Sequence, residues 1–315
     1  MNEAQLVARV RELFSPYIGD DAAVVPVVDG VQVLTTDMLI EDVDFTRDIP
    51  LRFIARKSLA VNLSDLAAMG AQPSYALLAL GLPPWARENV DEMLTAYAEA
   101  AREWAIEIVG GDFSHADKLT IVVTAIGRIV TRPLLRSGAQ PGDRVYLSRP
   151  VGGSGAGLAL LGKDAPSYSE REFIQSAIRR HIDPEPEIAL GVALARAGDV
   201  TSCIDVSDGL STDLHHLCDA SQCGAEIEKE RIPVFPDLQA NALSLGINVR
   251  DVVLHGGEEY ALLFTSSLRE SELSTLLGRP VYAIGRITAE RGVLLKEDGI
   301  AHPLAAGGFD HFAKL

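Results

Sequence analysis

The sequence predicts the α/β (α+β) class, arranged as two α/β domains. Three observations carry this. Apolar patterns of helical and strand period alternate along the whole chain. The 315 residues suffice for two domains or one large one. A turn-rich interruption at 131–143, with Thr131-Arg132-Pro133 and Gly138-Ala139-Gln140-Pro141-Gly142-Asp143, separates two such alternating stretches.

In chain order, residues 31–36 read as a strand. Residues 53–69 follow as a helix, with Leu59, Leu63 and Leu66 at helical spacing, Gly70 as its C-cap and Pro73 just beyond. Residues 75–80 are a second strand, 89–104 an amphipathic helix, and 119–130 a long β-rich run. Beyond the interruption come a strand at 144–148, helices around 187–196 and 210–220, and strands at 260–265 and 281–287. An internal echo, Gly110-Gly111-Asp112 before Ala125-Ile126-Gly127-Arg128-Ile129 and Gly256-Gly257-Glu258 before Ala283-Ile284-Gly285-Arg286-Ile287, raises the idea of a duplication.

Composition narrows the function. With 28 basic against 44 acidic residues, a net charge of −16 repels nucleic acid and anionic membranes, so neither is expected as a partner. The same field obliges any phosphate ligand to bring cations. Three cysteines, with no C-x-x-C spacing, exclude a disulfide framework and suit a reducing cytoplasm. The start of the chain lacks the basic and apolar regions of a signal peptide, and the apolar runs are strand-sized. A cytoplasmic protein is expected.

Carboxylates recur in turn-like settings: Gly19-Asp20-Asp21, Thr35-Thr36-Asp37, Gly110-Gly111-Asp112 and Asp205-Val206-Ser207-Asp208-Gly209. Singly, Asp beside Gly or Ser is ordinary turn and cap chemistry. Asp65 differs, since Ser58, Asn62 and Asp65 form a polar stripe beside the leucine stripe of the same helix; a solvated face explains that equally well. Together, acids at strand ends suit a hard cation that prefers oxygen ligands and shares them with substrate phosphates. His215-His216 is the one close histidine pair, and neighbours on a helix do not share a face, so magnesium is favoured over zinc. No G-x-x-x-x-G-K-[ST] occurs. The run Val151-Gly152-Gly153-Ser154-Gly155-Ala156-Gly157 could equally be a phosphate nest or a plain strand-to-helix turn.

These residues, in this order, resemble the thiamine-monophosphate kinase family, of the superfamily that includes aminoimidazole ribonucleotide synthetase. The matching stretches are 18–24, 35–37, the long Lys57-Ser58-Leu59-Ala60-Val61-Asn62-Leu63-Ser64-Asp65-Leu66-Ala67-Ala68-Met69-Gly70-Ala71, 110–112, 136–143, 205–210, 256–258 and the closing Gly307-Gly308-Phe309-Asp310-His311-Phe312. The resemblance implies an amino-terminal ATP- and magnesium-binding and dimerisation domain over 1–135, with a mixed sheet pairing across a homodimer. A carboxy-terminal α/β domain over 136–315 would complete the substrate site. It implies that Asp21, Thr35, Thr36, Asp37, Asp65, Asp112, Asp205 and Asp208 give oxygens to magnesium ions. It further implies that Gly111, Arg136 and Ser207 contact ATP, and that Asp44, Glu258 and Phe309 contact thiamine monophosphate, Phe309 by stacking. No general base is implied, because the acceptor is already an anionic phosphate. Three positions depart from the family pattern. Asp44-Phe45 stands where His-Phe is common, Glu259-Tyr260-Ala261 where Asp-Tyr-Glu follows Gly-Gly-Glu, and Gly152-Gly153-Ser154 where Gly-Asp-Ser is usual. Two other readings remain open: a superfamily enzyme with another acceptor, and a non-catalytic thiamine-phosphate-binding protein.

Overall fold

The computed structural model describes residues 20–27, 30–163 and 168–309. The expected motif residues Ile18-Gly19 and Asp310-His311-Phe312 lie outside them. The strands are β1 (Ala23–Val27), β2 (Gly30–Ile40), β3 (Ala71–Leu82), β4 (Glu107–His115), β5 (Thr120–Ile129), β6 (Arg144–Leu147), β7 (Val200–Asp205), β8 (Gly224–Glu228), β9 (Leu262–Ser266), β10 (Tyr282–Thr288), β11 (Gly292–Glu297) and β12 (Ile300–Pro303). The helices are α1 (Leu51–Ala68), α2 (Pro84–Glu88), α3 (Val90–Glu103), α4 (Gly153–Leu160), α5 (Tyr168–Ile182), α6 (Ile188–Ala197), α7 (Leu210–Ser221), α8 (Leu238–Leu245), α9 (Val249–Leu254) and α10 (Glu270–Leu277). A 3-10 turn spans Lys229–Arg231.

Two mixed sheets result. The first runs β1-β2-β5-β3-β4, antiparallel except for β3 with β4. The second runs β12-β11-β8-β10-β6-β9-β7, antiparallel except for β11 with β8. The interruption at 131–143 connects them, from the end of β5 to the start of β6. The expected elements fall on observed ones, most with ends shifted by one or two residues, as for 53–69 against Leu51–Ala68, while β2 runs four residues past the expected 31–36 and β3 starts four residues before the expected 75–80. Strands β1, β4, β7, β8, β11 and β12 and helices α2, α4, α5, α8, α9 and α10 are additional. The echo is not structural: Gly110-Gly111-Asp112 lies in β4, whereas Gly256-Gly257-Glu258 is irregular.

Helix α1 positions the site. It starts after Pro50, whose ring suits a helix entry, and ends where Gly70 takes φ +66° and donates its N–H to the Ala67 carbonyl at 2.9 Å. Leu59, Leu63 and Leu66 are wholly buried against the first sheet, about 2 kcal/mol of apolar burial each. The other side of α1 is also covered. Ala67 and Ala68 join Leu134, Leu190, Leu194 and Phe264 in a core that spans the two halves. There α6 comes so close that a Cβ on Gly191 would sit 2.0 Å from the Ala67 carbonyl oxygen, so only glycine fits.

Along β2 the side chains alternate. Thr35 and Asp37 stand opposite the buried Ala125 and Val123, on the face against α1. Thr36 and Met38 stand opposite Thr124 and Val122, on the other face. That outer face also carries Tyr75 and Leu77 of β3; Met38, Tyr75 and Leu77 are 54%, 44% and 41% exposed, so nothing in the described chain covers it.

Candidate functional site

The site lies where α1, the end of β7 and the chain entering β1 meet. Strand β2 is stapled to α1 by two hydrogen bonds. Thr35 Oγ1 donates to Asp65 Oδ2 at 2.5 Å, and the Asp37 N–H donates to Asn62 Oδ1 at 3.1 Å. Asn62 is fully buried and oriented by its own Nδ2 donating to the Ser58 carbonyl at 3.0 Å. The polar stripe of α1 is therefore a working face turned into the protein, not a solvated one. From the same helix Ser64 Oγ donates to Asp205 Oδ2 at 2.5 Å, fixing the last residue of β7.

Oxygens of Asp21, Asp65 and Asp205 all lie within 4.8 Å of one another. Arg136 is the cation set against them. Its Nη2 reaches Asp21 Oδ1 at 2.7 Å, and its main-chain N–H donates to Asp20 Oδ1 at 2.8 Å. One positive charge cannot balance all of these acids in their ionised form. Burial first, and then the Asp21 charge, pushes the Asp205 carboxyl up to about 8. Burial, then Asp37, Asp205 and Asp21, holds Asp65 well above the carboxylate range. Asp37 is pushed up to about 6 by burial and then by Asp44 and Asp208. Asp21 Oδ2 is buried and has no hydrogen-bond partner among the described residues. Crowded acids with an orphaned oxygen fit a hard divalent cation, which would cancel the repulsion and take up the free lone pairs.

Asp208 belongs to the loop after β7. Asp213 Oδ2, one turn into α7, accepts the N–H groups of Asp208 at 3.2 Å and Gly209 at 3.0 Å, setting the loop's curvature. Gly209 has φ +122°, and a Cβ there would meet the His255 carbonyl. The closing segment docks on this loop: the Phe309 N–H donates to the Asp208 carbonyl at 3.2 Å, and Gly308 N–H donates to Thr212 Oγ1 at 3.0 Å. The Phe309 side chain is 55% exposed at its rim. Ser207 is half-buried beside it, and its carbonyl accepts the Glu258 N–H at 2.7 Å. Thus Arg136, Ser207, Glu258 and Phe309 border the carboxylates.

Glu258 and Glu259 diverge. The backbone takes φ +58° at Glu258 and +47° at Tyr260, strained values for residues with side chains. Glu258 sends Oε1 to within 2.6 Å of Lys57 Nζ, and Oε2 to 3.1 Å from His181 Nδ1. Burial, then the Lys57 charge, holds His181 down to about 4, so it is neutral, and its Nδ1 also lies 3.1 Å from Ser154 Oγ. Glu259 points the other way and is fully buried. Its Oε1 accepts the N–H groups of Gly152 at 2.8 Å and Ser154 at 2.9 Å, with Arg180 beside its other oxygen. This resolves the Gly-rich run. The Gly152 and Ser154 amides are occupied by the protein's own carboxylate, so the run is a structural turn leading into α4 and not a phosphate nest.

Not every expected residue converges. The Thr36 hydroxyl bonds the Val123 carbonyl and Thr124 Oγ1, each at 3.0 Å, on the outer face, so only its main chain borders the cluster. Gly111 and Asp112 sit on edge strand β4, three strand spacings from β2, about 14 Å. Asp112 pairs with Ala79, which places it on the outer face as well. Gly111 has a local reason to be glycine, since a Cβ would lie 1.7 Å from the Leu78 carbonyl oxygen. Asp44 Oδ2 accepts the Ile40 N–H at 2.7 Å and closes the turn after β2.

The models for AIR synthase related protein match in order, the N-terminal domain at residues 19–129 and the C-terminal domain at 140–296. The thiamine-monophosphate kinase of Escherichia coli strain K12 is 36% identical over 306 residues, covering 94% of this chain and 91% of that protein. The chain belongs to the thiamine-monophosphate kinase family. The Bacillus subtilis member is 35% identical over 94% of this chain and 93% of its own length. The solved structure of AaThiL complexed with AMPPCP and TMP superposes with a TM-score of 0.88 at 31% identity, covering 99% of this chain and 97% of that one. The thiamine monophosphate kinase structure from Aquifex aeolicus gives 0.82 at 30%, covering 96% of each.

For this member of the thiamine-monophosphate kinase family, several residues at the site were given no role in the sequence reading, although Asp20, Lys57, Asn62 and Ser64 stand inside stretches it noted: Asp20, Asn62, Ser64, Asp213, Lys57 and His181. Asn62, Ser64 and Lys57 stand inside the stretch 57–71, where the spacing Asn62-x-Ser64-Asp65 could have marked three polar residues too close together for a helix packed on both sides. Asp213 reads as an ordinary first-turn helix acid. His181 gives no local signal.

Proposed function

We propose that this chain transfers the γ-phosphoryl group of ATP in line to the phosphate of thiamine monophosphate, giving thiamine diphosphate and ADP, with several magnesium ions. The observation that carries the reading is the Asp21-Asp65-Asp205 cluster, with its orphaned Asp21 oxygen, at the junction of the two halves in a chain of this family. Asp21, Asp37, Asp65, Asp205 and Asp208, with Thr35 and the main chain of Thr36, would hold the magnesium ions. When bound, magnesium neutralises and orients the phosphates and absorbs charge as the phosphoryl group moves. The protein does the rest by position. Ser64 and Thr35 hold the carboxylates in place, Arg136 offers a guanidinium to nucleotide oxygens from beside Asp21, and the Asp208 loop carries Phe309 and Glu258 to the acceptor side. Neutralising the acids this way removes the repulsion between two polyanions inside a chain of charge −16.

On this reading the outer apolar face of the first sheet, with Met38, Tyr75 and Leu77, is covered by a second copy in a homodimer. Asp112, which shares that face, then works at the subunit boundary. Three free, buried cysteines suit the cytoplasm, and no described helix is long and apolar enough to cross a membrane. Coupled ADP release with ATP, magnesium and thiamine monophosphate tests the function. Release that requires both the acceptor and the metal supports it; acceptor binding without release points to a non-catalytic binder; release only with another acceptor points to a different superfamily enzyme.

A further inference from the structure

Lys57 lies on α1, two turns before Ser64 and Asp65, and is only 3% exposed. It stands in the amino-terminal half, yet its Nζ pairs across the junction with Glu258 Oε1 at 2.6 Å. The contact is an ion pair rather than an aligned hydrogen bond, since Nζ has no directed acceptor among the described residues. His181 of α5 holds the second oxygen of the same carboxylate at 3.1 Å and is steadied by Ser154 Oγ, also 3.1 Å from its Nδ1. The Tyr260 hydroxyl lies 3.5 Å from Oε1. Glu258 is thus gripped on both oxygens by buried groups from two other elements, while its side chain remains 29% exposed and its main-chain N–H is held by the Ser207 carbonyl, next to the Asp208 carbonyl on which Phe309 docks.

Two physical points make stability an insufficient reason for this arrangement. A buried ion pair seldom adds net stability over apolar side chains of the same volume, and a methionine would fill the lysine's path through the core. The backbone at Glu258 is held at φ +58°, a cost that persists only where the surroundings over-determine the conformation. Both features fix the direction of one carboxylate.

We propose that Lys57 is a positioning residue for the phosphoryl acceptor, acting through Glu258: it fixes, from the amino-terminal half, the carboxylate that meets the acceptor's cationic end. This rests on the function proposed above. Because α1 carries Asp65 two turns further on, the same rigid helix sets the cation cluster and the acceptor carboxylate, so the two sites keep a constant separation.

The test is a double-mutant cycle with Lys57→Met, Glu258→Gln and the pair, measuring KM for thiamine monophosphate, KM for ATP, kcat and melting temperature. Lys57→Met is expected to raise KM for thiamine monophosphate about ten-fold and to leave KM for ATP within about two-fold. In the Glu258→Gln background the same substitution is expected to change the acceptor KM by less than about two-fold, because the residue it acts through is already lost. Lys57→Gln, which keeps a donor, replaces the methionine variant if that does not fold. Equal effects in both backgrounds, equal effects on both substrates, or a change in melting temperature alone overturns the proposal. Wild-type protein that turns over no thiamine monophosphate overturns the proposed function and this assignment with it. Active wild type with an unchanged Lys57→Met acceptor KM overturns this assignment only.

Discussion

Replacing Asp65 with Asn separates the cost of the acidic cluster from its use. The substitution removes one charge and keeps an oxygen that can still accept from Thr35 Oγ1, now 2.5 Å from the carboxylate. At 4.8 Å and an effective dielectric constant near 20, each ionised pair in the cluster repels by about 3–4 kcal/mol. Without magnesium the Asn variant loses that repulsion towards Asp21 and Asp205. Its melting temperature is expected to rise by at least about 2 °C, even after proton sharing and Arg136 have softened the gain. With magnesium the sign reverses. The attraction between the cation and the same charge disappears, and a loss of about 3 kcal/mol corresponds to roughly a hundred-fold fall in turnover. Scanning fluorimetry with and without magnesium, circular dichroism and coupled ADP release measure the three quantities. Near-normal turnover at ordinary magnesium concentration, or a lower metal-free melting temperature with an intact magnesium response, would refute the reasoning.

Three other outcomes are expected. Metal-free stability should fall as pH rises from about 4 to about 8: an acid such as Asp205, with an ordinary pKa of 3.8 and a folded pKa of about 8, binds its proton more tightly when folded, and that advantage is lost through this window. Magnesium should flatten the fall, and denaturant titration at several pH values with and without it decides the point. Asp44→His should shift KM for thiamine monophosphate about ten-fold and leave that for ATP unchanged if Asp44 faces the acceptor; unchanged constants for both leave it as the acid that closes the turn on the Ile40 N–H. Sedimentation should show twice the 33.8 kDa chain mass, and Leu77→Lys, on the exposed outer face, should yield monomer; a wild-type monomer at micromolar concentration would count against the dimer.

Much of this was legible in the sequence, for identifiable reasons. Asp37 and Asp65 stand out because each sits in a strongly periodic element, where period two or 3.6 fixes which neighbours share a face. The stripe Ser58, Asn62, Asp65 was visible too; whether it met water or protein was not, because that depends on β2 packing against it. The Gly-rich run could not be assigned from local pattern, since the carboxylate that fills it comes from Glu259, 105 residues from Ser154. Strand β4 escaped because Glu107–His115 is almost wholly exposed and carries two glycines, so pairing with β3, not apolar alternation, makes it a strand. Thr36 and Asp112 were grouped with the other acids and hydroxyls by motif alone; strand alternation and sheet order turn them away from the cluster.

The covering of α1 on both sides has a consequence for inheritance. The two matched regions, 19–129 and 140–296, suggest modules that could be exchanged between relatives at the connecting segment. Yet α1 presents Lys57 to Glu258, Ser64 to Asp205 and a bare main-chain surface at Ala67 to Gly191, all beyond that segment. A chimera joined there would inherit half of each contact: a lysine without its carboxylate, or a Cβ driven into a carbonyl. The seam must therefore descend as a unit, and changes along it become tolerable only in matched sets on both sides of the junction.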